Sequence, residues 1–277
     1  MPEKAVEIFI EELAKRRKLL ESGKQDEKGN ILFHGLAETS LQALLSHSHI
    51  KEIPAGAQIL QQGDVPEALY YILEGKVKTQ RFSPDGAEAT IRMLGKGDTF
   101  MDAVIFMGGK SPIGAQTTEN SKFLMIPAET VRRQAFTDGQ FACNLLQVVT
   151  RHYKTAIQQI DSITTKNPIE RLGYYLLRLH LENQSDNMDI ALPFKKSMIA
   201  NHLGMTPETF SRALSQIKKT GVHVDQEMLT MRDAYALCHF CDLDTAYTCP
   251  RHGSEQCPLN TEDPGIINRE KDSAGKD

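Results

Sequence analysis

The sequence predicts an α+β chain: an N-terminal β jelly roll, a long dimerisation helix, a C-terminal winged helix–turn–helix and a cysteine-rich tail. Three observations carry this. From Ile53 to Phe100 the chain reads IPAGAQILQQGDVPEALYYILEGKVKTQRFSPDGAEATIRMLGKGDTF, short β-rich runs divided by Gly, Pro and Asp turns, as in a barrel or jelly roll. From Asn144 to Asn167 there is neither Gly nor Pro, and Leu146, Val149, Tyr153, Ala156, Ile160 and Ile163 are spaced 3, 4, 3, 4, 3, the seam of a two-stranded coiled coil. Between Leu192 and Val222, apolar residues recur at helical spacing on both sides of Gly204. At 277 residues the chain is long enough for two cores.

In chain order, residues 1–30 form an extension. Val6, Phe9, Ile10 and Leu13 mark a short amphipathic helix, and a polar loop follows from Ser22 to Asn30. The charged start is not an export signal and no apolar run approaches a membrane span, so a cytoplasmic protein is expected. Residues 31–142 hold the β domain, with turns at Gly63-Asp64, Gly75, Pro84-Asp85-Gly86 and Gly97-Asp98, and a buried strand from Leu69 to Leu73. The helix is placed at 143–167. Leu145 and Ile157 widen its stripe, Pro168 ends it, and Cys143 reads as a small core residue. His152 reads as solvated or locally bonded rather than as a metal ligand.

Residues 168–237 carry the helix–turn–helix. Ile199, Ala200 and Leu203 face inward, Gly204 ends the first helix, and Met205 packs under the turn. Thr206 caps the second helix, Pro207 suits its first position, and Phe210, Leu214 and Ile217 give it a buried stripe. Glu208, Ser211 and Arg212 remain on the free face, where Arg can grip guanine and Glu can accept from cytosine. Lys195, Lys196, Lys218 and Lys219, with Thr206, are placed to hold phosphates. From Leu192 to His223 five bases face one acid in a chain of net charge −4, and a basic patch on an acidic chain points to an anionic partner. A merely solvated helical hairpin is the plain alternative.

Glu208, Ser211 and Arg212 form an E-x-x-S-R string that resembles the signature of the fumarate-and-nitrate-reduction branch of the Crp/Fnr regulators. The β-rich run with its four turns resembles the cyclic-nucleotide-binding fold expected upstream, and the resemblance spans about Leu32 to Leu237. It implies a bacterial homodimer paired through the long helix, a wing around His223 to Leu229, palindromic TTGAT-like half-sites on double-stranded DNA, and RNA polymerase as a partner. In members that bind cyclic AMP, a Gly-Glu pair holds ribose and phosphate and an Arg neutralises the phosphate. Here Met101, Asp102, Pro112 and Ile113 occupy those places. A buried phosphodiester would lack a counter-charge, so cyclic AMP is not expected. The segment Phe100 to Gln116 instead resembles the apolar equivalent in nitric-oxide-responsive regulators of nitrate respiration. Met101, Phe106 and Met107 could pack on haem, or serve as ordinary core. Other classes kept in view are a cyclic-nucleotide-responsive regulator, a regulatory module of an enzyme or channel, and a metal-dependent enzyme. The last lacks an accompanying general base, nucleophile pair or phosphate loop.

The tail, residues 238–260, departs from the family's common pattern, which keeps cluster cysteines near the N-terminus. Cys238, Cys241, Cys249 and Cys257 are spaced C-x2-C-x7-C-x7-C, with His252 inside the run. Clustered thiols without an export signal favour metal over disulfides. An iron–sulfur cluster would take the four cysteines; zinc could take three with His252 or Cys257. An uncoordinated or redox-active thiol set is the remaining reading. Residues 261–277 are polar and patternless and read as disordered. From Asp242 to Asp277 eight acids outweigh four bases, a charge that avoids DNA.

Overall fold

The computed structural model describes residues 31–182, 188–233, 235–249, 251–255 and 257. The N-terminal extension and the segment after Asn260 lie outside the described residues. The chain divides into two compact units, 1–158 and 159–277.

The first unit opens with α1 (Glu38–Leu45) and continues through β1 (His49–Ile53), β2 (Gln58–Leu60), β3 (Ala68–Glu74), β4 (Val77–Phe82), β5 (Glu88–Leu94) and β6 (Thr99–Phe100). After a short helix α2 (Val104–Met107) come β7 (Gly114–Thr117), β8 (Ser121–Pro127) and α3 (Ala128–Thr137). The strands form two antiparallel four-stranded sheets, ordered β1-β8-β3-β6 and β2-β7-β4-β5, the expected jelly roll. Strand β3 is buried from Ala68 to Ile72, and Tyr70 stacks on Phe100 at 4.6 Å between ring centroids, with Phe123 edge-on to both. The turn glycines take left-handed backbone. Gly75, at φ 90°, is also closed in: a Cβ there would lie 2.2 Å from Ser121 Oγ.

Helix α4 runs Gly139–Thr165, four residues earlier than the sequence pattern suggested. Its start is set by Asp138, whose carboxylate accepts from Phe141 N at 3.1 Å. Phe141, Asn144, Leu145 and Val148 form the buried face, with Asn144 Nδ2 donating to the carbonyls of Leu32 (3.2 Å) and His34 (2.6 Å). Cys143 falls between these positions and is exposed, so it is not a core residue: its apolar sequence neighbours belong to a different helix face. The predicted seam faces outward, with Leu146, Tyr153, Ile160 and Ile163 46–66% exposed.

The second unit contains α5 (Pro168–Glu182), β9 (Asp189–Ala191), α6 (Lys196–His202), α7 (Pro207–Ile217), β10 (Val222–Asp225), β11 (Met228–Met231) and α8 (Leu243–Thr248). A reciprocal cap starts α5: Asn167 Oδ1 accepts from the N–H groups of Ile169 (3.0 Å) and Glu170 (3.1 Å), and Glu170 Oε2 accepts from Asn167 N at 2.7 Å. Strands β10, β11 and β9 pair in that order, forming the wing hairpin around Gln226. Leu172, Leu176 and Leu177 of α5 join Phe210, Leu214 and Ile217 of α7 among the buried residues.

Candidate DNA interface and thiol-lined cavity

Helix α7 is built by local rules. Thr206 Oγ1 accepts from Thr209 N at 3.2 Å, Pro207 takes the first turn, and Phe210, Ala213, Leu214 and Ile217 are buried. Burying that stripe turns Glu208, Ser211 and Arg212 outward together, and all three are exposed. The Glu208 carboxyl is held below its usual range by its own backbone N–H, the Thr206 hydroxyl and the Arg212 charge. Lys195, Lys218 and Lys219 are exposed, whereas Lys196 is partly buried and its Nζ reaches Val224 O at 3.4 Å.

In the β domain, Ser111 links the two pairs of residues that the resemblance sets at the phosphate: its Oγ lies 3.9 Å from Met101 Sδ and donates to Ile113 O at 2.7 Å. Met101 is buried with left-handed backbone (φ 65°), a conformation that favours glycine. Pro112 is exposed and Ile113 half-buried. Phe106 and Met107 are also exposed, whereas Met101 is buried. Asp102 is buried and fully engaged: it accepts from Thr99 Oγ1 at 2.7 Å, from Ala103 N at 2.8 Å and from His152 Nδ1 at 3.3 Å. Arg92 Nη2 lies 2.6 Å from His152 Nε2 and donates to Thr99 O at 3.2 Å. A guanidinium can only donate, so Nε2 accepts and Nδ1 carries the proton given to Asp102. Burial raises the Asp102 carboxyl, but the His152 hydrogen bond, the Arg92 charge and the Thr99 hydroxyl outweigh it and hold the group below its usual value. His152 is thus locally bonded, as expected. Arg92 was not singled out in the sequence, because nothing in its local pattern points to a partner 60 residues away.

The tail docks on α5. Gly173 leaves room for the Phe240 ring, which a Cβ would meet at 2.3 Å. Thr245 Oγ1 bonds Tyr174 Oη at 3.3 Å, and Asp242 caps α8 by accepting from Thr245 N at 2.9 Å. Between tail and α5 lies a cavity lined by Leu177, His180, Leu181, Tyr235 and Ala246 together with Cys238, Cys241, Cys249, Cys257 and His252. Arg251, also on its wall, donates to His180 Nε2 at 2.8 Å. The folded tail therefore brings all five predicted ligand residues to one space. Burial pushes the Cys238 thiol up to about 11 and the Cys241 thiol to about 12, with the neighbouring thiols adding to both. Protonated in this way, Cys241 donates to Asp242 O at 3.5 Å. Among the described residues, no three His, Cys, Asp or Glu side chains converge tightly enough to hold a metal ion.

Comparisons with known proteins fit this architecture. A cyclic nucleotide-binding domain profile matches residues 50–138 and a Crp-like helix-turn-helix domain profile matches residues 170–240. The chain is 29% identical over 195 residues to the cyclic AMP receptor protein of Thermus thermophilus, covering 70% of this chain and 88% of the relative. It is 28% identical over 192 residues to the fumarate and nitrate reduction regulatory protein of Salmonella typhi, covering 68% and 76%. The fold matches that of FixK2 from Bradyrhizobium japonicum with a TM-score of 0.63 at 20% identity, over 70% of this chain and 98% of that one. Among the described residues, no helix is long and apolar enough to cross a membrane. With a jelly roll and a helix–turn–helix each matched in turn by its own domain profile, the chain belongs to the Crp/Fnr family of transcription regulators.

Proposed function

We propose that this regulator takes its signal, a change in redox state, oxygen or nitric oxide, at the thiol-lined cavity rather than from a cyclic nucleotide. One observation carries the reading: Cys238, Cys241, Cys249 and Cys257 line a single cavity against α5. Thiols scattered as core filler do not collect on one wall. The four-thiol set suits an iron–sulfur cluster. His252 on the same wall favours zinc as the second reading, held by Cys238, Cys241 and Cys249 with His252 or Cys257. Either centre would supply the positive charge that lets these thiols ionise, and its binding energy would add to folding of the tail. The chain's own part is to hold the thiols on a docked tail, through Phe240 over Gly173 and Thr245 on Tyr174.

The β-domain interior supports the exclusion of cyclic AMP. Met101, Pro112 and Ile113 offer no cation, Asp102 would repel a phosphate, and the nearby Arg92 is engaged by His152 and Thr99. Met101 is buried in the hydrophobic core of the β domain, which favours the ordinary-core reading over haem and leaves haem behind the thiol site. For DNA, two copies pair through Leu146, Val149, Tyr153, Ala156, Ile160 and Ile163. Paired α7 helices then read a TTGAT-like palindrome with Glu208, Ser211 and Arg212. Lys195, Lys196, Lys218, Lys219 and Thr206 hold phosphates, and RNA polymerase is the downstream partner.

Titration of a palindromic and a scrambled duplex tests the base-reading assignment. Arg212→Ala loses roughly 1–3 kcal/mol per half-site and relaxes preference for the guanine. Lys218→Ala weakens both duplexes alike. Unchanged affinities of Arg212→Ala for both duplexes contradict the assignment.

A further inference from the structure

The C-terminus of α6 sets where α7 begins, and its carbonyls can be accounted for one by one. Leu203 N donates to Ile199 O at 2.9 Å, Met205 N to Ala200 O at 2.9 Å and Gly204 N to Asn201 O at 3.0 Å, with Gly204 left-handed at φ 64°. This is a Schellman closure. It leaves the carbonyls of His202 and Leu203, at the point where the chain turns into the recognition helix. Both are received from outside the hairpin: Gln159 Nε2, on the last turns of α4, donates to His202 O, and Arg171 Nη1, on the first turns of α5, donates to Leu203 O at 3.0 Å.

The placement of Arg171 needs a reason. A cation near the start of α5 opposes the positive end of that helix, whereas near the end of α6 it meets the negative end. Its guanidinium also lies over the turn itself, where a Cβ on Gly204 would stand 3.5 Å from Nη1 and 4.0 Å from Ile163 Cδ1. We infer that Gln159 and Arg171 are positioning residues for DNA reading: they clamp the last two carbonyls of α6 and so fix the angle at which α7 presents its exposed face. The inference rests on the reading of α7 as the recognition helix. It also ties that angle to α4, the element bearing the seam, and to α5, the element on which the tail docks.

The test measures the ratio of affinities for palindromic and scrambled duplexes, at a temperature where each variant is folded by circular dichroism. Arg171→Met lowers the ratio about tenfold, the scale of one lost charged hydrogen bond on orientation. Arg171→Lys, which keeps a donor and the charge, recovers part of it. A purely structural role moves the melting temperature and leaves the ratio of the folded protein intact. If Arg171→Met does not fold, Gln159→Met serves as the second probe and lowers the ratio in the same direction. Arg212→Ala is run beside them. A ratio lost in Arg212→Ala but intact in the folded clamp variants overturns the positioning role alone. A ratio intact in Arg212→Ala overturns the recognition helix, and the clamp's role with it.

Discussion

The interior of the β domain and the cavity under the tail are filled in opposite ways. In the first, Asp102, Arg92, His152 and Thr99 satisfy one another at 2.6–3.3 Å. In the second, four thiols stand along an apolar wall with Leu177, Leu181 and Ala246, and Cys238 and Cys241 are held protonated by burial and by Cys249 and Cys257 beside them. A ligand shifts an equilibrium only by what it gains over the contacts it replaces. An anion entering the β domain must displace a completed network, whereas a soft cation entering the tail meets thiols that ionise on binding it. The first interior joins β5 and the β6 turn to α4, and the second is the place proposed above for the signal.

The largest expected effect lies in the β domain. Asp102→Asn removes the carboxylate on which His152 and Arg92 converge and costs about 3–5 kcal/mol of stability at neutral pH, read by denaturant unfolding. The sign with pH follows from the lowered carboxyl. The stability it gives is complete above the ordinary value of 3.8 and is lost as pH falls through the lower folded value. The gap between wild type and Asp102→Asn therefore narrows in acid. A constant gap down to the acid limit would mean that packing, rather than charge, holds the network.

Next in size is the tail. Gly173→Ala puts a methyl group into the Phe240 ring and costs on the order of 1–3 kcal/mol, although helix propensity alone would raise stability by about 1 kcal/mol. Reaction of the tail thiols with a disulfide reagent quickens in the same variant. A more stable protein with unchanged thiol reactivity would show that the tail does not dock there. The smallest expected signal is none: calorimetry with cyclic AMP and cyclic GMP at millimolar concentration gives no binding heat. Saturable micromolar binding would break the contrast between the two interiors.

What the sequence revealed depended on whether the information was local. Gly204, Thr206, Pro207 and the Phe210, Leu214, Ile217 stripe act within a few residues of themselves, so the helix–turn–helix was readable almost residue by residue. The jelly roll was legible from Gly63, Gly75, Gly86 and Gly97, since each marks a left-handed turn. Cys143 is exposed despite its apolar sequence neighbours, because those neighbours do not reveal helix phase. Arg92 with His152, Arg171 with Leu203 and Arg251 with His180 were not legible, since each pair joins residues 60, 32 and 71 apart in the chain. The tail is intermediate: cysteine spacing suggested a shared site, but its wall on α5, and Gly173 as the space for Phe240, follow from packing.

Metal and sulfide analysis of anaerobically prepared protein decides whether the four tail thiols hold one metal centre. The variant with Cys238→Ser and Cys241→Ser is prepared alongside. Iron with matching acid-labile sulfide is expected in the wild type, with loss of both in the variant. Stoichiometric zinc without sulfide would replace the cluster with the Cys and His252 site, and absence of either metal from both preparations would contradict the claim.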